Sequence, residues 1–369
     1  MKDERPALDR VVDPCLLLDP ADENVERSLD ARRQFDLTPA FHALYDATRV
    51  RRTVFASVFA SVVGLTAVAS AYAGSGGFLP PTPHSPNAHR IQHDYIFIAI
   101  FCGFIFLIVE GVLVAFIVKY RRGKRPRNAE GPQIHGSTRL EVLWTVAPVF
   151  LLAAIGTFIF WELPGIANAP KASAADSTTI QIEGHQYYWL FRYPNGAISI
   201  DRMIAPANQV VHEEVIGLDY DVNHSWWIPD LGGKYDAIPG KVNKTWFKAP
   251  VGTYVARCSE LCGLQHALMT ATVDVVPRAE YDKFISTRAS SAGESSLGKE
   301  EFTGVCEKCH RLDHVYVGPA LGGNSLLANR KGIESLLRNG EGQMPPVAKN
   351  WTSAQIDALI SYTKQFVSQ

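Results

Sequence analysis

An excess of either charge is what this sequence most lacks: 36 lysines and arginines stand against 37 aspartates and glutamates, for a net charge of −1. A chain so balanced has no bulk electrostatic footprint for DNA or RNA, and no nucleic-acid partner is expected. Methionine and cysteine are scarce as well, with four and six in 369 residues, so the place of each carries information. A composition of 47 % hydrophobic and 20 % charged residues excludes a collagen-like or wholly disordered chain. What is present is a mosaic, in which long apolar runs alternate with polar stretches, as a few membrane helices joined to exported soluble domains would produce.

Residues 1–53 are mixed and charged and carry no sustained period, so neither fold nor role is assigned to them. Arg49, Arg51 and Arg52 precede a 20-residue apolar run, 54–73, that ends Ala71-Tyr72-Ala73. This has the regions of a signal peptide, with an uncleaved membrane anchor as the alternative, and the long stretch before it predicts a translation start near Val50. An exported segment, 74–94, follows. The runs 95–118 and 142–160 hold 24 and 19 residues with one charge between them, Glu110, and each is long enough to cross about 30 Å of hydrocarbon. Lys119, Arg121, Arg122, Lys124, Arg125, Arg127 and Arg139 lie between them. The positive-inside rule puts that loop in the cytoplasm and both flanks outside, so 95–163 reads as a transmembrane hairpin of a multi-pass protein in a bacterial cytoplasmic (inner) membrane. Tyr95, Tyr120, Trp144 and Trp161 fit interfacial belts, and Glu110 is a functional candidate because a carboxylate inside the span is costly.

Beyond the membrane the period changes. Short β-branched and aromatic segments at 180–183, 187–193, 210–215, 245–248, 254–256 and 270–276, separated by turn residues, predict an all-β sandwich or barrel over 164–278. A small, polar stretch, 279–297, reads as a linker. Helical patterns at 297–306, 332–338 and 352–366 then predict an all-α domain over 298–369, about 70 residues, small enough to need stapling by a cofactor.

Cys258, Cys262, His266 and Met269 fall within twelve residues. Two thiolates, an imidazole and a thioether form a soft set that selects copper over zinc, magnesium or calcium. One cysteine would serve a mononuclear site, whereas two can bridge a pair of coppers, and His224 supplies the upstream imidazole for the second. The rival reading is a disulfide between Cys258 and Cys262 in an oxidising compartment. Met269 decides against it, since one of only four methionines stands three residues after His266.

With Asp221-Val-Asn-His224-Ser-Trp-Trp227, Ile228-Pro229, the run Tyr235-Asp-Ala-Ile-Pro-Gly-Lys241 and the Cys258-to-Met269 loop, residues 95–278 strongly resemble subunit II of haem-copper cytochrome c oxidases. The resemblance implies a cupredoxin fold and a dinuclear copper (CuA) centre. Cys258 and Cys262 would bridge, His224 and His266 would be terminal ligands, and Met269 and the Glu260 carbonyl would be axial. It further implies that the Glu260 side chain reaches a magnesium or manganese ion at the interface with subunit I. The stretch from His135 to Glu141 also matches, and there the glutamate sits at the mouth of a proton path; a carboxylate that merely favours the positive end of a helix is the plain alternative. One departure matters: Tyr187 stands where the family often has the tryptophan that receives electrons from soluble cytochrome c. Trp189 reads more safely as core packing.

Cys306-Glu-Lys-Cys309-His310 is a C-x-x-C-H motif, suited to covalent haem with His310 as proximal ligand. Gly318-Pro319 and the run Gly340-Glu-Gly-Gln-Met344-Pro-Pro346 supply a turn and a methionine in a stiff loop, so 298–369 resembles a class I cytochrome c domain with Met344 distal and His314 as the rival ligand. Together these features predict a multidomain membrane protein that takes electrons from cytochrome c or another reduced donor through haem c to the copper pair and on to subunit I. The oxygen-reducing, proton-pumping site belongs to subunit I, because the membrane runs here hold no histidine. The copper subunit of a nitric oxide reductase and a membrane-tethered electron carrier are the alternatives; a quinol oxidase subunit is disfavoured because every copper ligand is present.

Overall fold

The computed structural model describes residues 80–121, 130–131, 133, 136–290 and 294–367. The segment 1–53, the leader or anchor at 54–73, most of the cationic loop and His135 lie outside the described residues. Two long helices come first, α1 (Pro86–Tyr120) and α2 (Thr138–Ala167). At 1.5 Å per residue they run about 52 and 45 Å, longer than the apolar runs alone, so their polar ends project past a bilayer core. Pro86 occupies the first turn of α1, where a missing N–H costs nothing. The two helices lie side by side: Phe97 stacks on Phe158 with ring centroids 4.0 Å apart, and Arg90 pairs with Glu162 at 2.6 Å.

The outer ends of both helices are tied to the domain that follows. Asn87 donates to the Trp246 carbonyl at 2.7 Å, Trp246 Nε1 donates to the Ile166 carbonyl at 3.0 Å, and the His84 amide donates to the Asp230 carbonyl at 2.8 Å. That domain has ten strands: β1 (Ser177–His185), β2 (Tyr188–Arg192), β3 (Ile198–Ile200), β4 (Arg202–Pro206), β5 (Val210–Gly217), β6 (His224–Trp227), β7 (Lys234–Ala237), β8 (Val242–Phe247), β9 (Gly252–Cys258) and β10 (Thr270–Val276). They form two five-stranded sheets, ordered β3-β2-β1-β5-β8 and β4-β10-β9-β6-β7. The pairs β1–β5 and β4–β10 are parallel and the rest antiparallel. Alternate residues of each strand, among them Ile180, Trp189, Phe191, Trp226 and Val273, fill the space between the sheets.

Strands occupy all six segments that the sequence pattern indicates. The pattern misses β3, β4, β6 and β7, which are short, and β3 and β4 meet at Asp201, a non-glycine residue at φ 52°. The polar composition of 279–297 predicts a linker, but residues through Arg288 form a helix instead, α3 (Arg278–Arg288). It is held because Tyr281 is buried against the sandwich and places its hydroxyl 3.1 Å from Thr178 Oγ1, with Phe284 and Ile285 packed beside it.

The C-terminal domain holds α4 (Glu294–Glu301), a π-helical turn at Phe302–Cys306, α5 (Arg330–Asn339) and α6 (Ser353–Thr363). Asn329 caps α5 by accepting the Gly332 amide at 3.1 Å, and Thr352 with Gln355 forms a capping box on α6. Helices α4 and α6 cross closely at Gly298, where any Cβ would strike the Ala358 carbonyl.

A mobile tether without a large fixed interface is the arrangement that a polar linker suggests; the structure has a packed seam. Strand β2 is buried on both faces: Trp189 and Phe191 point into the sandwich, while Tyr188 and Leu190, with Ile198 and Ile200 of β3, share one apolar core with Phe302, Val305, Leu337, Trp351, Ile356 and Leu359. Polar contacts cross the same seam. Tyr188 donates to the Val347 carbonyl at 2.6 Å and accepts from Trp351 Nε1 at 2.9 Å, and Asn350 donates to Glu183 at 3.3 Å.

Candidate metal centre and haem site

The copper candidates come from two places. His224 opens β6, and Cys258 closes β9, its hydrogen-bonded neighbour, so two ligands are fixed by strand pairing. Cys262, His266 and Met269 lie in the loop from β9 to β10, which a short 3₁₀ turn, His266–Leu268, folds back on itself. The Cys258 amide donates to the Met269 carbonyl at 3.0 Å, closing the loop at its base. Cys258 Sγ and Cys262 Sγ are 3.8 Å apart. That is far beyond a disulfide bond of about 2.05 Å, yet within two metal–thiolate bonds of about 2.3 Å. His224 Nδ1 is 3.9 Å from Cys258 Sγ, His266 Nδ1 is 3.5 Å from Cys262 Sγ, and Met269 Sδ is 3.8 Å from Cys262 Sγ. The Glu260 carbonyl oxygen lies 3.2 Å from Cys258 Sγ. His224, Cys258, Cys262 and Met269 are all buried. The donor set therefore fits soft metal, with both imidazoles presenting Nδ1 to the sulfurs.

A second layer of contacts holds this set. Asp221 Oδ1 lies 3.3 Å from His224 Nε2, which orients the ring. Burial works against charge on His224, but Asp221 and Cys258 outweigh it and hold its pKa above the usual histidine value. The hydrogen bond with Cys262 draws the Cys258 thiol down against the effect of burial, and that thiolate in turn pushes Cys262 up. Gln186 Nε2 donates to the Cys262 carbonyl at 2.6 Å, and the Tyr187 hydroxyl accepts the Leu264 amide at 3.2 Å. Asp221 appears in the sequence only as part of a motif, and nothing in the spacing marks Gln186.

The haem candidates lie across the seam. Cys306 ends the π-helical turn, and the amides of Cys309 and His310 both donate to its carbonyl, at 3.1 and 2.9 Å. The two thiols are unpaired. His310 Nδ1 lies 2.7 Å from the Pro319 carbonyl, a contact that leaves Nε2 free to serve as a ligand. Gly318 packs flat on this imidazole, and a Cβ there would collide with the ring. Met344 sits in a two-residue bridge, exchanging backbone hydrogen bonds with Glu341 at 2.9 and 3.1 Å, and its side chain packs against the apolar core that Cys306 also touches. Two thiols, a tethered imidazole and a thioether beside an apolar core fit a covalently held haem. His314 is largely exposed and pairs with Asp313 at 2.7 Å.

Pattern and relatives agree at this point. Profiles described as "Cytochrome C oxidase subunit II, transmembrane domain" and "Cytochrome C oxidase subunit II, periplasmic domain" match residues 76–161 and 200–276, and one described as "Cytochrome C oxidase, cbb3-type, subunit III" matches 294–362. Cytochrome c oxidase subunit 2 of Alkalihalophilus pseudofirmus is 30 % identical over 339 residues, covering 84 % of this chain and 96 % of the relative. This chain belongs to the cytochrome c oxidase subunit II family. The subunit 2 of Cereibacter sphaeroides is 30 % identical over 268 residues, covering 60 % of this chain and 83 % of its own length. Among solved structures, the periplasmic domain of subunit II of cytochrome oxidase (CoxB) of Bradyrhizobium japonicum is 34 % identical, covers 33 % of this chain and 96 % of that one, and has a TM-score of 0.30. The chain is thus a membrane protein with two spanning helices, a cupredoxin-like β-sandwich and a cytochrome c-type helical domain, and family membership implies copper, haem and a complex with subunit I.

The remaining candidates fall elsewhere. Glu141 lies in the first turn of α2, and Glu110 on the exposed surface of α1. The Glu260 carboxylate accepts from Lys234 Nζ at 3.3 Å, and the same ammonium pairs with Asp236 at 2.8 Å. Tyr187 lines a cavity of about 460 Å³ together with Met344, Pro345 and Pro346, so it faces the haem-ligand loop as well as the copper loop. Burial pushes its hydroxyl pKa up despite the Leu264 hydrogen bond, and the thiols of Cys262 and Cys309 lie near enough to add to the rise.

Proposed function

We propose that this chain is the electron-input subunit of a terminal oxidase, with haem c attached at Cys306 and Cys309 and a dinuclear CuA centre held by Cys258 and Cys262. When bound, these groups would supply one-electron chemistry, haem c toward a reduced donor such as cytochrome c and copper toward subunit I, the subunit that would carry oxygen reduction and proton pumping. The observation that carries the reading is the convergence of His224, Cys258, Cys262, His266 and Met269, with the sulfurs 3.8 Å apart.

The chain's own residues do the rest. His224, His266, Met269 and the Glu260 carbonyl would complete the copper-holding set with the two cysteines, and Asp221 fixes the His224 ring. His310 and Met344 would hold the haem iron, a ligand pair that favours a high potential. The Glu260 carboxylate, which pairs with Lys234, would contribute to holding a magnesium or manganese ion at the subunit I interface. Glu141 admits protons toward subunit I from the cytoplasmic side of a bacterial inner membrane, and the domains beyond α2 face the outer side. Tyr187, beside the Cys262 loop and the Met344 loop, would lie on the path by which electrons enter the copper site.

Rapid mixing of the assembled oxidase with its reduced donor tests this order. Haem c is expected to reduce first and the copper to follow; copper reduction ahead of haem c would overturn the route.

A further inference from the structure

We propose that Lys308 is a positioning residue for electron transfer within the chain: it locks the haem-attachment turn onto the copper loop. The inference rests on the reading above of haem at Cys306 and Cys309 and copper at Cys258 and Cys262.

Lys308 lies between the two haem-attachment cysteines, where a lysine would ordinarily extend into water. Its side chain is only 11 % exposed, and Nζ pairs with Asp201 Oδ2 at 2.6 Å and donates to the Leu268 carbonyl at 2.9 Å. Leu268 stands directly before Met269, whose sulfur is 3.8 Å from Cys262 Sγ. One ammonium therefore bridges the turn that would carry the haem and the loop that would carry the copper.

Asp201 is a rigid acceptor for this contact. Its Oδ1 accepts the Trp189 amide at 2.8 Å, its own amide donates to the Trp189 carbonyl at 2.9 Å, and its carbonyl accepts the Thr272 amide at 2.9 Å, so it is stitched to both sheets. An aspartate tolerates the positive φ of 52° found here better than most residues. Beside this pair Gly304 lies against Ile200, whose amide donates to Glu300 at 3.3 Å. Burying an ammonium costs free energy unless it is paired and hydrogen-bonded, so the contact specifies one docked arrangement of the two loops. Transfer of one electron, oxidising ferrous haem and reducing the copper pair by one, depends steeply on distance. Holding the loops together keeps the fast arrangement populated.

The test uses the full-length chain with Lys308→Gln and, should that variant fold poorly, Asp201→Asn, which keeps an acceptor for the Trp189 amide. Copper content, covalent haem and the potentials of both centres are measured first. A parent chain lacking either cofactor refutes the underlying reading rather than the role of Lys308. One electron is then injected into haem c by flash photolysis, and its arrival at copper is followed. The expected result is a rate reduced roughly tenfold, with potentials unchanged and faster amide exchange at residues 198–201 and 302–309. A rate loss below about threefold overturns the proposal whatever the exchange data show. So does loss of a cofactor signal in both variants, which would make the pair a folding element only.

Discussion

Replacing Tyr188 with phenylalanine deletes a single oxygen at the seam between the sandwich and the helical domain. The ring remains, stacked on His185 with centroids 4.5 Å apart, so apolar burial is almost unchanged. The lost hydroxyl is fully buried; it donates to the Val347 carbonyl at 2.6 Å and accepts Trp351 Nε1 at 2.9 Å. Each partner left unsatisfied in a buried seam costs about 1–3 kcal/mol, and the pair together about 2–6 kcal/mol. A loss of about 3 kcal/mol corresponds to roughly 150-fold in the equilibrium between docked and separated domains. Amide exchange read by mass spectrometry measures it directly, through peptides spanning 188–201 and 347–352. Protection there should fall by about two orders of magnitude in Tyr188→Phe, while the strand pair β9–β10 keeps its protection. Unchanged protection at the seam would mean that the two domains do not depend on each other, and the packed arrangement would be refuted.

Two other changes probe the sites from opposite ends. Glu213 is buried in β5 with Trp226 Nε1 donating to it at 2.9 Å, and burial pushes its pKa from 4.5 up to about 8. The unfolded chain therefore ionises first, so this group makes stability fall as pH rises from about 4.5 to about 8, by at most about 5 kcal/mol. Glu213→Gln keeps an acceptor for the indole and should flatten that slope in pH-dependent thermal unfolding; an unchanged slope would contradict the assignment. Gly318→Ala forces the His310 imidazole aside, and an overpacked site of this kind loses about 1–3 kcal/mol. Haem should stay attached through both cysteines but show a disturbed histidine–iron spectrum, whereas a parent-like spectrum would place His310 elsewhere.

Parts of this molecule were legible in the sequence for physical reasons. The membrane helices are continuous apolar runs, and the Cys258-to-Met269 loop packs four candidate ligands of three types into twelve consecutive residues, so local pattern sufficed. His224 came from a motif, and only the pairing of β6 with β9 explains why it meets Cys258. The short strands β3, β4 and β7 carry three to five residues each, too few for alternation to register. Helix α3 reads as linker because its surface is polar, and the few apolar side chains that hold it, Tyr281, Phe284 and Ile285, form no run. The seam was least legible. Tyr188 and Leu190 alternate with core residues and look like an ordinary outer face, and nothing in the C-x-x-C-H spacing says that Lys308 turns inward.

Metal and haem analysis of the purified full-length chain, joined to electron paramagnetic resonance of its oxidised copper, tests the central claim most directly. Two coppers per chain sharing one unpaired electron, together with one haem that acid extraction does not remove, are expected, and Cys258→Ser should abolish the copper signal while leaving the haem in place. A single-copper spectrum in the parent chain, or a haem released by extraction, would contradict the account.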